Sequence, residues 1–164
     1  MSDPNPLANG ADNHSTAQAQ VAVQKIYLKD VSFEAPGAPH IFQEKAGPQI
    51  QLNLSQNINN IAENTYEVVL GVTVTCKVGE KNAYLAEVKQ AGIFTLTGFE
   101  ENTLHAVLGT FCPNTLYPYV RQAVSELIQN GGFPPFLLQP INFEQIYADQ
   151  MQRRAAEAGT PANA

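Results

Sequence analysis

The chain has 164 residues, a length that fits one domain. Nine Lys and Arg residues stand against fifteen Asp and Glu residues, and the net charge of -6 disfavours nucleic acid as a partner because the phosphate backbone attracts basic surfaces. Hydrophobic residues make up 44% of the chain and charged residues only 15%, so we expect apolar surface beyond what one core requires.

The two ends of the chain are poor in large apolar side chains. We predict a disordered N-terminal tail at 1–20, one folded domain at 21–155 and a disordered C-terminal tail at 156–164. The N-terminus lacks the basic start and apolar run of a secretory signal, and no apolar stretch approaches the ~20 residues that cross a bilayer. These features predict a cytoplasmic protein that does not insert into membranes.

Alternation of apolar and polar residues predicts four strands in the first two thirds of the chain. The sequence VAVQKIYLKDVSFE at 21–34 predicts the first strand, and QIQLNLSQNI at 49–58 predicts the second. YEVVLGVTVTCKV at 66–78 predicts a central strand with one buried face. Turn residues at 79–82 join it to AYLAEVKQAGIFTL at 83–96, which predicts a long antiparallel hairpin.

The first strand carries apolar residues at both parities. Strict alternation predicts Ile26 and Leu28 on one face and Tyr27, Val31 and Phe33 on the other. We therefore expect both faces of this strand to be at least partly covered.

After Gly98 the apolar period becomes helical. PYVRQAVSELIQNGG at 118–132 predicts a helix with an apolar stripe, Asn114 is a candidate cap before it, and Gly131 is predicted to form a left-handed C-terminal cap. Residues 99–113 are compatible with a helix or an apolar loop, and we favour the helix.

A second helix is predicted after a connector rich in glycine, proline and apolar residues. Asn142 is its predicted N-cap, Gln145 is placed to reach back to it, and Ile141 and Ile146 are spaced as a hydrophobic staple. Strands followed by helices predict an α+β fold, with a four-stranded antiparallel sheet that carries helices on one face.

The motifs of common catalytic and cofactor sites do not occur in the sequence. Neither GxxxxGKS/T nor GxGxxG is present, and the three histidines and two cysteines have no metal-binding spacing. Cys112 and His105 could in principle meet, yet the apolar neighbourhood of Cys112 should raise its pKa. We predict no catalytic, cofactor or metal site, and hence no enzyme.

Acidic residues form a candidate binding surface. Asp30 and Glu34 share a parity at about 13 Å separation, and Glu87 points away from the inward residues of its strand, two positions from Leu85. The pattern is compatible with docking of a basic partner or with plain solubilising charge.

Several stretches together resemble the bacterial protein-export chaperone SecB: IYLKDVSFEAPGAPHIF at 26–42, YEVVLGVTVT at 66–75, GIFTLTG at 92–98 and LGTFCPNTLYPYVRQAVSELIQNGGFPPFLLQPINFEQIY at 108–147. The resemblance implies a homotetramer, built as a dimer of dimers, that binds unfolded precursor proteins without ATP and delivers them to the motor SecA. It also implies that the zinc-binding C-terminal segment of SecA is the docking partner.

The resemblance assigns roles to three groups of residues. The SecA-docking surface falls on Asp30, Glu34, Leu85 and Glu87. The oligomer or packing face corresponds to Tyr84, Ala86, Val88 and Gln90. By analogy, the client groove is lined by Tyr27, Phe33, Phe133, Phe136, Leu137 and Leu138. The alternative hypothesis is a small α+β ligand-binding domain or enzyme with an apolar pocket.

Overall fold

The fold was taken from a computed structural model, which describes residues 17–159. Its strands are β1 (Gln20–Glu34), β2 (Pro48–Ala62), β3 (Thr65–Val78) and β4 (Lys81–Thr97), and its helices are α1 (Glu101–Gly109), α2 (Phe111–Asn130) and α3 (Phe143–Ala158). A 3-10 turn, His40–Gln43, lies between β1 and β2. The predicted α+β fold with four strands is confirmed.

The helix α3 continues through residues 156–158, which the composition had assigned to the C-terminal tail. Alanine and glutamate in this stretch favour helix, and the helix ends where Gly159 follows. The described part of the chain does not contain residues 1–16 and 160–164 of the two predicted tails.

The strands form one antiparallel sheet in the order β1-β4-β3-β2. The predicted hairpin joins β3 to β4, and Gly79 in its turn has the positive φ of 61° that glycine adopts without strain. Because β3 pairs with β4 on one side and β2 on the other, it is a central strand, as its sequence predicted.

The core lies between the sheet and α2. The predicted inward parity of β3 is buried there together with alternate residues of β4, and α2 covers them with an apolar stripe: Leu116, Val120, Val124 and Ile128. The helices therefore pack on one face of the sheet, which we call the helix face; the opposite side is the outer face.

β-bulges interrupt the alternation of β1 at Gln24 and at Lys29, and the second, which we call the bulge, lies among the predicted site residues. Leu28 pairs with Gln90 of β4 and Asp30 pairs with the adjacent Lys89, so Lys29 is the extra residue. An extra residue moves every later side chain of the strand to the other face of the sheet.

The bulge corrects one prediction about β1. Val31 and Phe33 lie on the helix face with Ile26 and Leu28, whereas Tyr27 lies on the outer face. The predicted grouping of Tyr27 with Val31 and Phe33 was wrong, because strict alternation does not hold across a bulge.

The helix boundaries differ from prediction at the start of α2. α1 confirms that residues 99–113 are largely helical, and α2 follows it after the single residue Thr110. Asn114 is not a cap, since its N–H donates to the Thr110 carbonyl inside the helix at 3.1 Å. Pro113 is accommodated because N–H groups in the first turn have no intrahelical acceptor.

The C-terminal end of α2 is a Schellman motif centred one residue later than predicted. Gly131 has a right-handed φ of -75°, and Gly132 supplies the positive φ of 85°. The Gly132 N–H donates to the Gln129 carbonyl at 2.9 Å and the Phe133 N–H to the Ile128 carbonyl at 3.2 Å. Glycine at 131 has a packing role instead, because a Cβ there would lie 2.1 Å from the Phe33 ring.

The predicted cap of α3 is confirmed. The Asn142 side chain accepts a hydrogen bond from the Gln145 N–H at 3.0 Å. The Gln145 side chain instead donates to Asp149 at 2.9 Å, so the expected return contact is replaced by one along the helix. This cap sets the point at which the connector of residues 131–142 ends.

Candidate functional site

An apolar cavity of about 700 Å³ lies between the connector and one end of the sheet. Residues 132–136 of the connector form one wall, and Ile41 and Phe42 of the 3-10 turn form another. Ile50 of β2 and Cys76 of β3 line the sheet side. We call this cavity the connector pocket.

Four aromatic rings pack beside the connector pocket. The Phe133 ring centroid lies 4.8 Å from that of Tyr84, 5.0 Å from Phe42 and 6.3 Å from Phe33. Phe33 also stacks on Tyr84 at 6.0 Å. The tilted rings give the pocket a rigid aromatic wall, because aromatic side chains have few rotatable bonds and pack favourably in these geometries.

The connector is held at both ends but cannot form regular structure between them. The Schellman motif fixes its start, and near its end the Tyr117 hydroxyl donates to the Gln139 carbonyl. Pro134 and Pro135 between these anchors have fixed φ angles and no N–H donor. The connector wall is therefore preformed.

The six predicted groove residues do not form one surface. Phe133 and Phe136 line the connector pocket, and Phe33 packs in its aromatic wall. Leu137 is 62% exposed, whereas Leu138 is 1% exposed and lies in the core.

Tyr27 is separated from the other predicted groove residues by the sheet itself. It lies on the outer face, where its hydroxyl donates to the Glu67 carboxylate. The bulge at Lys29 explains this separation. Two residues of the connector pocket, Ile41 and Phe42, were not predicted, although this apolar pair within HIFQ, beside a proline-rich loop, was a usable signal.

The four predicted docking residues share the outer face. Glu34 pairs with Leu85 and Ser32 pairs with Glu87 across β1 and β4, and Asp30 follows on the same side. Asp30, Glu34 and Glu87 are exposed and Leu85 is half-buried.

Hydrogen bonds orient one carboxylate of this surface. Ser32 donates to one Glu87 oxygen and Thr73 to the other, each at 3.3 Å. Glu87 is thereby held between β1 and β3 while it stays exposed to solvent. We call Asp30, Glu34, Leu85 and Glu87 the acidic surface.

The predicted oligomer or packing face is buried within the protomer. Tyr84, Ala86, Val88 and Gln90 are all less than one tenth exposed and lie on the helix face of β4. Their packing role is therefore within this chain, and a role in assembly stays a prediction.

The two thiols are buried, and burial raises the pKa of both, that of Cys112 to about 12. The predicted increase in the pKa of Cys112 is confirmed.

His105 does not lie beside Cys112 in the core. It is an exposed residue at a second cavity of about 590 Å³, between β2, α1 and α3. Among residues 17–159, no three His, Cys, Asp or Glu side chains are grouped for metal binding. In the same range, no helix is long and apolar enough to cross a membrane.

Comparison with known proteins gives consistent matches. A family model described as preprotein translocase subunit SecB matches residues 14–154. The protein-export protein SecB of Stenotrophomonas maltophilia is 56% identical over 139 residues, which cover 85% of this chain and 81% of the relative. That of Xanthomonas campestris pv. campestris is 53% identical over 157 residues, covering 94% and 91%.

A solved structure has the same fold. It is a Mycobacterium tuberculosis SecB-like chaperone in complex with a ChAD peptide from an antitoxin, and it matches with a TM-score of 0.62 at 20% identity. The match covers 74% of this chain and 91% of that chain.

Proposed function

This chain belongs to the SecB family of protein-export chaperones, and we propose that it holds unfolded precursor proteins without ATP and delivers them to SecA. The connector pocket is the observation that carries the proposal. It offers client side chains a preformed apolar surface of the kind that unfolded chains seek to bury.

The pocket suits clients of varied sequence. Its walls are mainly aromatic and aliphatic, so binding energy comes from burial of apolar area and does not depend on one hydrogen-bonding pattern. Leu137, which follows the pocket residue Phe136 in the connector, is a further exposed apolar side chain. The SecB-like chaperone of M. tuberculosis is bound to a peptide, which supports peptide binding by this fold.

The acidic surface supports a separate docking role for the zinc-binding C-terminal segment of SecA. Three exposed carboxylates around Leu85 would attract a basic segment and offer it one apolar contact. Because this surface and the connector pocket lie on opposite faces of the sheet, client and motor can be bound at the same time.

Exposed apolar side chains support assembly into a homotetramer, a dimer of dimers. On β1, Leu28 is 53% and Val23 is 44% exposed, and on α2, Tyr119 is 49% and Phe111 is 47% exposed. A dimer of dimers requires two kinds of contact between protomers, and these two exposed apolar surfaces lie on different elements. We place this assembly in the cytoplasm, where it binds precursor proteins before their export.

Holding is tested by diluting a denatured precursor into buffer with increasing protein and no nucleotide. We expect refolding to slow at near-stoichiometric ratios because the client stays bound. Refolding at the spontaneous rate for a range of clients would contradict the proposal. Light scattering of the purified protein without client measures the mass of the assembly.

Docking is tested with the charge reversals Asp30→Lys and Glu87→Lys. We expect each to weaken SecA binding while holding is retained, because the substituted charge lies on the face away from the connector pocket. Equal loss of both activities would show instead that the substitution disrupts the protein as a whole. The alternative of a small-ligand domain would be favoured if a discrete small molecule, but no unfolded chain, bound the pocket.

A further inference from the structure

A buried carboxylate lies on the outer face of the sheet, opposite the face on which the helices of residues 17–159 pack. Glu67 of β3 is 9% exposed and accepts hydrogen bonds from three side chains. Lys29 Nζ donates at 2.7 Å, Asn59 Nδ2 donates at 3.0 Å and the Tyr27 hydroxyl also donates. We call Tyr27, Lys29, Asn59 and Glu67 the Glu67 cluster.

The cluster spans the full width of the sheet. Tyr27 and Lys29 belong to β1, Glu67 to β3 and Asn59 to β2, so the β1 side chains must cross over β4. Ala91 of β4 pairs with Tyr27 and is fully buried beneath this crossing, where its small side chain leaves room.

The hydrogen bonds keep Glu67 ionised. Donation from Lys29, then from Tyr27 and Asn59, lowers the pKa of Glu67 to about 2. The same carboxylate raises the pKa of Tyr27 to about 12, chiefly because the phenol donates to it. A buried carboxylate that loses a hydrogen-bond donor costs free energy. Movement of Tyr27, Lys29 or Asn59 away from Glu67 is therefore unfavourable.

Lys29 is both a member of the cluster and the extra residue of the β1 bulge. Without the bulge, alternation from Tyr27 would put Asp30 and Glu34 on the helix face. With the bulge, they lie on the outer face beside Glu87. The existence of the acidic surface therefore depends on where this one extra residue sits.

We propose that the Glu67 cluster is a positioning device for partner docking: by binding Lys29, Glu67 holds the bulge in place and so keeps Asp30 and Glu34 on the outer face. This inference rests on the proposed docking function. Lys29 and Glu67 are positioning residues, since they act through the backbone of β1.

The sign of the effect of Lys29→Gln on SecA binding separates positioning from simple electrostatics. Removing a positive charge beside an acidic surface should strengthen binding of a basic segment if charge alone mattered. Positioning predicts the opposite, a loss of affinity of about three- to tenfold. Glu67→Gln should also weaken binding, and Lys29→Arg should restore most of the affinity because arginine keeps the charge and the donors.

Lys25→Gln is the matched control. Lys25 lies on the outer face of the same strand, so the substitution changes the charge equally, and it forms no ion pair with another residue in 17–159. We expect its SecA affinity to be unchanged or slightly higher than that of the unmodified chain.

The experiment combines titration of purified SecA with hydrogen–deuterium exchange of the full chain. We expect faster amide exchange at 28–34 in Lys29→Gln but not in Lys25→Gln. Unchanged exchange together with equal or tighter SecA binding by Lys29→Gln would overturn the inference. Retained client holding verifies that the variant is folded, as expected for a lysine side chain that is 42% exposed.

The two proposals fail in different ways. If the unmodified chain does not bind SecA, the docking proposal fails, and the exchange measurement still decides whether the cluster holds the bulge. If the unmodified chain binds SecA and Lys29→Gln behaves like Lys25→Gln, the positioning inference alone fails.

Discussion

Leu137 and Leu138 are neighbours in the connector with opposite environments, and alanine at each position removes the same atoms. Leu138 is 1% exposed and packs in the core, whereas Leu137 is 62% exposed. The pair separates stability from client binding. We expect Leu138→Ala to destabilise the protein and Leu137→Ala to impair holding.

The magnitudes follow from burial. A fully buried leucine replaced by alanine costs about 2–5 kcal/mol in the free energy of unfolding, because the cavity left behind relaxes only partly. For Leu137, complete burial would contribute about 1.5–3 kcal/mol, so partial burial limits the cost to under about 1 kcal/mol. For a chain of this length the expected decrease in Tm is about 4–20 °C for Leu138→Ala and under about 4 °C for Leu137→Ala.

The assay is thermal unfolding by circular dichroism at one protein concentration, since assembly makes Tm depend on concentration. Holding is measured on the same samples, well below the lower Tm. Leu138→Ala should then hold clients nearly normally, and Leu137→Ala should need a higher ratio of chaperone to client. A stable Leu138→Ala variant that has lost holding, or equal destabilisation by both, would refute the reasoning from burial.

Three further predictions concern a carboxylate, a thiol and a glycine. Because the pKa of Glu67 is about 2 in the folded protein against an ordinary 4.5, its stabilisation is present above pH 4.5 and is lost as the pH falls towards 2. The free energy of unfolding should therefore fall more steeply over that window in the unmodified chain than in Glu67→Gln, and parallel pH profiles would contradict this. Cys112, which is fully buried with its pKa raised to about 12, should react with a thiol reagent far more slowly in the native than in the urea-unfolded protein; equal rates would show that the site opens readily. Gly132→Ala should cost about 1–2 kcal/mol because φ at this position is 85°. Gly47→Ala is its control and should cause no such loss in denaturant unfolding, because no heavy atom beyond the neighbouring residues in the chain lies within 4 Å of the new Cβ and φ is not positive.

Elements with a strong periodic pattern were predictable from residues alone. The alternate side chains of β3 that were predicted to point inward lie in the core with the apolar stripe of α2, since each element buries one regular face against the other. The Asn142 cap was also predictable, because capping is decided within one turn of chain.

The candidate site was only partly predictable. Phe133 and Phe136 could be assigned to a groove by resemblance, and they line the connector pocket. Leu138 has the same chemistry as Leu137 and lies beside it, so composition could not reveal that only one of them is buried. That distinction depends on which of the two side chains packs against the core in the folded chain.

The sequence by itself determined the α+β class and the order and type of the elements. These follow from local periods of two and 3.6 residues and from turn and cap chemistry. Only the tertiary structure decided which face each β1 residue occupies. Lys29 of the bulge donates a hydrogen bond to Glu67, 38 positions away in the chain, and a contact at that separation leaves no periodic signal in the strand.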